Sequence, residues 1–459
     1  MALKDKNIGK VRLLNLIHFT LTVLSFFFVW SSTIELGPNE YRYHFYVTAL
    51  YAVLLYLFDT TYNAYLVGFM TPGDLAYSQT LSNVIAFAGV YALTALAWTR
   101  LYNIVPFLLL IAGQLVFNIL WDKFADAVYF KLYKPKRTAV IYRNRDDLMR
   151  IREIEDNPKK FTIERYIESP KENIFELMDQ LSGYEVLFVV GIGATFRNAL
   201  AKYCVENNVQ GYFLPHVGDI LMAGAEHVQS YSVPILSVKR KAPDVTYLMI
   251  KRAADIVLSL LALIIMSPFM LLTALCIRLY DGGPALYKQI RLTKDGREFK
   301  ILKFRSMRTD AEKDGVARLS SEHDDRITPV GRVIRAIRFD ELPQLFNILV
   351  GDMSIVGPRP ERPEIAHEYE KYLPAFALRL QVKAGLTGYA QVYGKYNTDP
   401  RDKLEMDLLY INKMSLFTDV MLMFATIRIL FIRESTSGIE EGKLTAYLSE
   451  KLEREEKEL

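Results

Sequence analysis

The chain has 459 residues, of which 51% are hydrophobic and 24% charged, with a formal net charge of +4. This composition is too apolar for a protein that lies wholly in water, and it predicts two or three domains with membrane segments. The two cysteines, Cys204 and Cys276, exclude a disulfide framework and a thiolate metal site. Basic residues at the start, including Lys10 and Arg12, favour an anionic lipid surface as partner and not nucleic acid.

Four apolar segments of spanning length follow in the first third of the chain. They cover residues 11–31, 45–67, 80–97 and 102–124. Each is near the roughly 20 residues that a bilayer core requires. Basic residues before the first segment and after the fourth place both ends on the cytoplasmic side of a membrane. We therefore predict a four-helix transmembrane domain over residues 1–134.

The pattern then changes to short apolar strands that alternate with amphipathic helices. The strands are predicted over 138–142, 161–166, 185–190 and 211–214, and the helices over 145–155, 172–181 and 196–207. This alternation is typical of an α/β domain with a partly parallel sheet. We predict a small Rossmann-like α/β domain over residues 135–241.

The glycine turn of this middle domain is a weak sign of cofactor binding. Gly191 and Gly193 follow a strand, but Phe196 stands where a dinucleotide fingerprint has its third glycine. Arg143 begins the turn after the first strand, where such a fold places glycines. We predict that the domain binds no NAD or FAD and serves assembly or regulation, with homo-oligomerisation left open.

A long apolar segment over residues 253–280 contains Ser267 and Pro268 at its middle. A straight helix of this length would reach about 42 Å. Pro268 removes an amide donor, and the Ser267 hydroxyl favours a bend by bonding a carbonyl of the preceding turn. Basic residues flank both ends. Two interpretations stay open: a re-entrant helix with both ends on one side, and an ordinary kinked span.

Three cations follow a predicted strand pair, 286–291 and 298–303. Lys303, Arg305 and Arg308 are spaced so that they can line one groove, and arginine offers bidentate geometry to phosphate. The alternative is a solvated basic face near anionic lipid.

The acidic pair Asp340-Glu341 follows a helix that carries Arg332 and Arg335 on one face. Adjacent carboxylates point in different directions, which favours divided roles. One can attack phosphorus or bind a divalent metal while the other acts as ligand or acid/base. The alternative is an acidic helix start that interacts with nearby arginines.

Two further motifs lie downstream. Prolines fix the loop 351–363, which carries Arg359 and Arg362, and this loop is either a phosphate-binding or a purely structural turn. The glycine-rich turn at Thr387 and Gly388 could expose amides to an oxyanion. An amphipathic surface helix is predicted over 415–432. We assign residues 242–436 to a mixed α+β module and 437–459 to a charged tail.

Several of these motifs, in this order, resemble the bacterial sugar transferase family, the monotopic polyprenyl-phosphate phosphoglycosyl transferases. The resemblance covers about the last 210 residues. Its motifs are Lys251-Arg252 with Asp255, Ser267-Pro268, Lys303-Phe304-Arg305-Ser306-Met307, Asp340-Glu341-Leu342-Pro343-Gln344, Gly351-Asp352-Met353-Ser354, Gly357-Pro358-Arg359-Pro360 and Gly385-Leu386-Thr387-Gly388.

The resemblance implies transfer of a sugar-1-phosphate from a UDP-sugar to undecaprenyl phosphate, with UMP release and Mg²⁺ as cofactor. It implies that Asp340 is the nucleophile of a covalent intermediate, that Glu341 is its metal or proton-handling partner, and that Arg335 and Arg359 hold phosphates. It also favours the re-entrant helix. The implied location is the bacterial inner membrane, with the catalytic module on the cytoplasmic face.

Two rival functions come from other classes. A membrane-anchored NAD-dependent sugar-modifying enzyme would need the glycine fingerprint that the middle domain lacks. A non-catalytic membrane scaffold or a transporter would not need Asp340 and Glu341, and a transporter should bury polar residues along a pathway. Asp59, Asp122 and Asp126 are the main candidates for that role.

Overall fold

The computed structural model describes two compact units of the chain. The units are Met1–Leu214 and Pro215–Leu459. The described residues are 7–34, 41–144, 148, 151, 160–169, 174–228, 233, 235–241, 243–309, 324, 326–394 and 399–430. The predicted tail over 437–459 and most of the predicted helix over 145–155 lie outside them. The predicted domain boundaries stay predictions.

The first unit begins with four long helices, one for each apolar segment. They are α1 (Ile8–Thr33), α2 (Arg42–Thr61), α3 (Pro72–Trp98) and α4 (Val105–Leu132). By length and composition α1, α3 and α4 can cross a membrane, whereas α2 falls short of that criterion. Helix α2 also ends before the predicted residue 67, because Asn63 adopts a left-handed conformation.

The interior of the helical bundle is both aromatic and polar. The Phe26 and Tyr51 rings stack with centroids 4.0 Å apart. His18 Nε2 lies 3.0 Å from Asn118 Oδ1, and Gln79 Nε2 donates to Asp122 Oδ1 at 3.1 Å. Such interhelical hydrogen bonds satisfy polar groups that would otherwise face hydrocarbon.

A four-stranded parallel sheet completes the first unit. Its strands are β1 (Lys136–Tyr142), β2 (Phe161–Glu168), β3 (Val186–Val190) and β4 (Gln210–Phe213), in the order β2-β1-β3-β4. Helices α5 (Ile174–Asp179) and α6 (Ala194–Glu206) lie between strands in the chain. Every residue of β3 is buried, as expected for a strand covered on both faces. The predicted α/β pattern with parallel strands is confirmed.

The second unit begins with α7 (Val217–Ala223) and the hairpin β5 (Glu226–Val228) and β6 (Ile235–Ser237). Ile220 of α7 is buried in the core of this unit. The side chain of Asn412 also donates to the Ile220 carbonyl at 2.6 Å.

The long helix α8 (Val245–Asp281) has 37 residues and contains Pro268. One helix runs through Ser267 and Pro268, and the re-entrant form predicted for it stays a prediction. Pro268 cannot donate to the Ile264 carbonyl four residues earlier. The Ser267 hydroxyl donates to that same carbonyl at 2.9 Å and replaces the missing bond.

The rest of the second unit folds around two small sheets. β7 (Leu286–Leu292) and β8 (Glu298–Phe304) form the predicted antiparallel hairpin, and β9 (Met353–Val356) pairs in parallel with β10 (Ala384–Thr387). The helices are α9 (Pro329–Ala336), α10 (Gln344–Val350), α11 (Pro363–Tyr372), α12 (Tyr389–Tyr393), α13 (Pro400–Asn412) and α14 (Leu416–Leu430), with 3-10 turns at Phe339–Glu341 and Pro374–Gln381.

Candidate functional site

Two cations from separate parts of the second unit meet at Glu341. Lys303, near the end of β8, donates from Nζ to Glu341 Oε1 at 3.1 Å. Arg359, from the proline-fixed loop, donates from Nη2 to the same oxygen at 2.7 Å. The structure thus brings together two of the predicted cations and one of the predicted carboxylates.

The backbone between α9 and α10 presents the acidic pair. Thr328 caps α9 by accepting a hydrogen bond from the Gly331 amide at 2.9 Å. Arg338 then adopts a left-handed conformation with φ of 58°, which is uncommon for a residue other than glycine. The chain turns there into the short 3-10 segment that carries Asp340 and Glu341. Phe339 of this segment packs with Phe304 and Ile334, and these contacts hold the turn in place.

The Asp340 carboxylate is partly exposed, and no described residue donates a hydrogen bond to it. Its burial raises its pKa, and the neighbouring Glu341 carboxylate raises it further, against the opposing charges of Lys303, Arg335 and Arg359. A carboxylate that has lost part of its hydration and has no donor is free to attack an electrophile.

Glu341 has the opposite character. Burial alone would raise its pKa, but Arg359 and Lys303 outweigh that cost and hold the pKa well below its usual range. The burial of Lys303 lowers its own pKa, while Glu341 works in the other direction. Two adjacent carboxyl groups with pKa values shifted in opposite directions are typical of a site that divides roles between them.

Arg359 is positioned by a buried ion pair that the sequence interpretation missed. Arg379 Nη2 donates to the Arg359 carbonyl at 2.8 Å and lies 2.7 Å from Asp407 Oδ2. Arg379 is 3% exposed and Asp407 is fully buried. The available signal was a single arginine within the apolar run 373–380, where a buried cation requires a partner.

Arg291 and Glu361 form a second support for the same loop. Arg291 Nη1 donates to the Pro360 carbonyl at 3.1 Å and lies 3.8 Å from Glu361 Oε2. The Leu292 amide donates to the Glu361 carbonyl at 3.0 Å. Sequence reasoning gave neither side chain a role, because the contact joins residues about seventy positions apart.

Three predicted phosphate-binding arginines have other surroundings. Arg305 is buried and pairs with Asp281 at the end of α8. Arg308 is exposed, and its backbone amide donates to the Arg326 carbonyl. Arg362 Nε lies 3.8 Å from Glu364 Oε2. The structure does not bring these three into direct contact with Glu341.

Thr387 and Gly388 lie where β9 and β10 pair closely. The Thr387 hydroxyl is buried and shares a hydrogen bond with the Thr426 hydroxyl. A Cβ at position 388 would lie 2.2 Å from the Gly357 carbonyl oxygen, so only glycine fits. The Gly357 amide donates to the Thr387 carbonyl at 2.8 Å. The glycines therefore allow two backbones to approach, which fixes the loop that begins at Pro358.

The start of α8 is joined to the same unit by polar contacts. Lys251 Nζ lies 2.8 Å from Asp419 Oδ2. Arg252 donates to the carbonyls of Ile348 and Leu349 at 2.6 and 2.7 Å, at the end of α10. The Asp255 carboxylate accepts from the Ile355 amide at 3.0 Å. These three residues belong to the first motif of the resemblance, and the structure gives each a structural partner.

Comparison with known proteins places these motifs in a wider group. The sequence profile described as "Bacterial sugar transferase" matches residues 246–433. The chain is 43% identical over 189 residues to the UDP-N-acetylgalactosamine-undecaprenyl-phosphate N-acetylgalactosaminephosphotransferase of Aeromonas hydrophila, covering 40% of this chain and 44% of that protein. It is 38% identical over 211 residues to the UDP-glucose:undecaprenyl-phosphate glucose-1-phosphate transferase of Escherichia coli K12, covering 45% and 44%.

A third relative is covered almost completely. The exopolysaccharide production protein PSS of Rhizobium leguminosarum bv. phaseoli is 41% identical over 200 residues, which cover 42% of this chain and 98% of that protein. In the first two relatives, by contrast, the alignment spans less than half of each protein's own length.

Proposed function

Because this chain belongs to the bacterial sugar transferase family, we propose that it transfers a sugar-1-phosphate from a UDP-sugar to undecaprenyl phosphate and releases UMP. This reaction would be the first membrane step in the synthesis of an exopolysaccharide, a capsule or an O-antigen. Relatives named as sugar-phosphate transferases with undecaprenyl phosphate support the substrate classes.

The observation that carries the proposal is the contrast between Asp340 and Glu341. Asp340 has no hydrogen-bond donor among the described residues, whereas Glu341 accepts from two cations. The attacking oxygen of a nucleophile must keep a lone pair free, and a positioning anion must not move. Asp340 therefore attacks, and Glu341 holds Lys303 and Arg359 in place beside it.

In the first step an Asp340 oxygen attacks the sugar-bearing phosphorus of the UDP-sugar. The bond from this phosphorus to the bridging oxygen breaks, and UMP leaves with that oxygen. In the second step a phosphate oxygen of undecaprenyl phosphate attacks the phosphorus of the aspartyl-phosphosugar, and the Asp340 carboxylate is released. Lys303, Arg335 and Arg359 supply the positive charge that lets an anionic carboxylate approach an anionic phosphate.

We propose Mg²⁺ as the cofactor, held by Asp340 and Glu341. No group of three or more His, Cys, Asp or Glu side chains gathers around a metal position in the described part of the chain. Two carboxylates fit Mg²⁺ nonetheless, because this ion commonly takes one or two carboxylates and completes its shell with water and substrate phosphate. When bound, it would neutralise charge on the pyrophosphate.

We propose that α8 is re-entrant and that both its ends lie on the cytoplasmic face of the inner membrane. Lys251 and Arg252 bind the second unit near the start of the helix, and Asp281 pairs with Arg305 at its end. Between these ends Leu263, before Pro268, and Ile277, after it, pack against buried residues of the same unit. A charged module that holds both ends of a membrane helix favours entry and exit through one surface.

Labelling of single cysteines tests this topology. Val238→Cys and Lys288→Cys, at exposed positions before and after α8 and each in a background without Cys204 and Cys276, should react with a membrane-impermeant maleimide from the same side of sealed vesicles. Labelling from opposite sides would show an ordinary span. Because this assay reports no catalysis, its outcome is independent of the reaction.

Turnover with defined substrates tests the reaction. Purified full-length protein with Mg²⁺ and undecaprenyl phosphate should release UMP from at least one member of a UDP-sugar panel. Without lipid acceptor, a UDP-sugar carrying ³²P in the sugar phosphate should label the protein. UMP release without labelling would favour direct transfer, and no turnover with any sugar would favour a non-catalytic scaffold.

A further inference from the structure

The first unit contains a cavity of about 460 Å³ between the helical bundle and the parallel sheet. One wall comes from the start of α1 and the end of α4, and another from the segment between α2 and α3. The third wall comes from β1, β2 and β4. The cavity belongs to the first unit, whereas Asp340 and Glu341 belong to the second.

Four cations line this cavity: Arg12, Lys134, Lys136 and Lys160. None of the described residues along its wall is an aspartate or a glutamate. Lys136 and Lys160 belong to neighbouring strand positions, since the Lys136 amide donates to the Lys160 carbonyl at 3.1 Å. Like charges at such positions repel one another, and a bound anion would relieve that repulsion.

The surroundings of Lys160 favour a bound anion. Its ammonium lies 2.9 Å from the centre of the Phe69 ring, a cation-π contact. Burial and, to a smaller extent, the charge of Lys136 together lower the pKa of Lys160 to about 8. Lys136 donates to the neutral side chain of Gln210 at 3.1 Å. These contacts orient both ammonium groups without neutralising them.

Apart from Asn15 and Gln210, the remaining lining is apolar or aromatic, and it lies at the ends of two helices that can span a membrane. Val11 is near the start of α1, and Tyr129 and Tyr133 are near the end of α4. Leu66 and Val67 line the cavity from the segment between α2 and α3. A ligand here meets positive charge and apolar surface at interfacial depth, where tyrosine rings are favoured.

We propose that this cavity binds the phosphate-bearing headgroup of a membrane lipid, with Lys136 and Lys160 on the phosphate and the lipid chain directed along the apolar faces of α1 and α4. A free phosphate or a nucleotide shares the anionic chemistry. The position at the ends of two spanning segments favours the lipid, because a soluble anion does not need the apolar half of the site. The proposal does not depend on the transferase reaction.

Equilibrium binding to the full-length protein tests the site. The probe is radiolabelled dioleoylphosphatidic acid in a zwitterionic detergent. Dioleoylphosphatidylcholine is the comparison lipid, because the choline cation on its phosphate leaves the headgroup without net charge. The double variant Lys136→Gln, Lys160→Gln should bind phosphatidic acid about tenfold more weakly than wild type, because both ammonium donors to the phosphate are lost. A tenfold loss corresponds to about 1.4 kcal/mol.

Matched variants keep the result specific. Lys160→Arg retains the charge and can stack on the Phe69 ring, so it should bind phosphatidic acid more tightly than the double variant does. Lys202→Gln, an exposed lysine of α6 outside the cavity, should have no effect. Arg12→Gln changes an exposed side chain on a different element and should weaken binding about threefold, so the proposal can still fail if the double variant folds poorly.

Three outcomes would overturn the proposal. Unchanged affinity in both the double variant and Arg12→Gln would remove the cations from the site. Equal binding of phosphatidylcholine would show that net charge is not recognised. Binding of inorganic phosphate or UMP with the same sensitivity to the variants, but no binding of phosphatidic acid, would assign the cavity to a soluble anion.

Discussion

The two basic clusters of this protein differ in one component. In the second unit, Lys303 and Arg359 surround a carboxylate that is adjacent in sequence to Asp340. In the first unit, Lys136 and Lys160 lie among aromatic rings, and no carboxylate lines their cavity among the described residues. Both clusters can attract phosphate, but only one of them also contains the carboxylates for which we propose a catalytic role.

The difference shows what cations alone can do. Positive charge lowers the free energy of a bound phosphate, and this is binding. A carboxylate placed among the cations can in addition attack the phosphorus of that phosphate, and such an attack is a step of covalent catalysis. Removal of the Asp340 carboxylate from the cluster in the second unit should therefore leave a site that binds phosphate without reacting with it, as we propose for the cluster in the first unit.

The largest expected effect is that of Asp340→Asn. The amide cannot attack phosphorus, so UMP release should fall at least about a thousandfold. Affinity for the UDP-sugar should stay within a few-fold, because the cations remain. Asp295→Asn is the matched control. Asp295 is an exposed residue of a hairpin turn with a left-handed backbone conformation, and asparagine adopts this conformation readily. Near-normal turnover of Asp340→Asn would remove the nucleophile assignment.

Arg379→Gln tests the support behind Arg359. It leaves Asp407 buried without a cation, which should lower the free energy of unfolding by about 3–5 kcal/mol. The measurement is denaturant unfolding in detergent. The double variant Arg379→Met, Asp407→Leu should recover most of the loss, and Arg297→Gln, in an exposed pair with Asp352, should change little. A stable single variant would show that this pair does not support the loop.

Arg359→Gln tests the direct contribution of one cation. It removes the donor at 2.7 Å from Glu341 and part of the charge near the phosphate, so kcat/KM should fall about a hundredfold. Arg401→Gln, an exposed arginine at the start of α13, is the control. If both variants lost the same activity, the effect would be one of net charge and not of position.

The smallest expected effect comes from the other cluster. Gly68 has φ of +77°, and a Cβ there would lie 2.3 Å from the Tyr129 ring that lines the cavity. Gly68→Ala should therefore cost about 1–2 kcal/mol for the backbone conformation alone and lower the melting temperature. In Gly113→Ala the added methyl meets nothing within 4 Å, so this helical variant should not lower it. Equal melting temperatures of Gly68→Ala and wild type would show that the backbone and the Tyr129 ring adjust to the added methyl at little cost in free energy.

Local patterns predicted the secondary structure well. Hydrophobic runs predicted the four N-terminal helices, and alternation predicted β1, β3 and the β7-β8 hairpin, because these features depend on short stretches of chain. The local contact at Pro268 was also predicted, since the Ser267 hydroxyl donates to the Ile264 carbonyl of the preceding turn.

The chemical environment of each charge was harder to predict. Lys303, Arg305 and Arg308 are close in sequence and were grouped, yet Arg305 pairs with Asp281 while Lys303 binds Glu341. Strand β8 ends at Phe304, so Arg305 does not continue the alternation that would place it on the same face as Lys303. The partner of each side chain comes from distant sequence. The cavity of the first unit was missed for the same reason, because its walls come from segments far apart in the chain.

The contacts of Arg252 and Asp255 also bear on how this protein can be divided. These side chains lie early in α8, and they satisfy backbone groups at residues 348, 349 and 355. A truncation that begins after the helix would leave those groups without partners, in addition to exposing the apolar core beneath it. The membrane helix is thus an internal part of the folding unit and not a detachable anchor. An expression fragment or a chimera should begin no later than Asp244, whose side chain caps the helix.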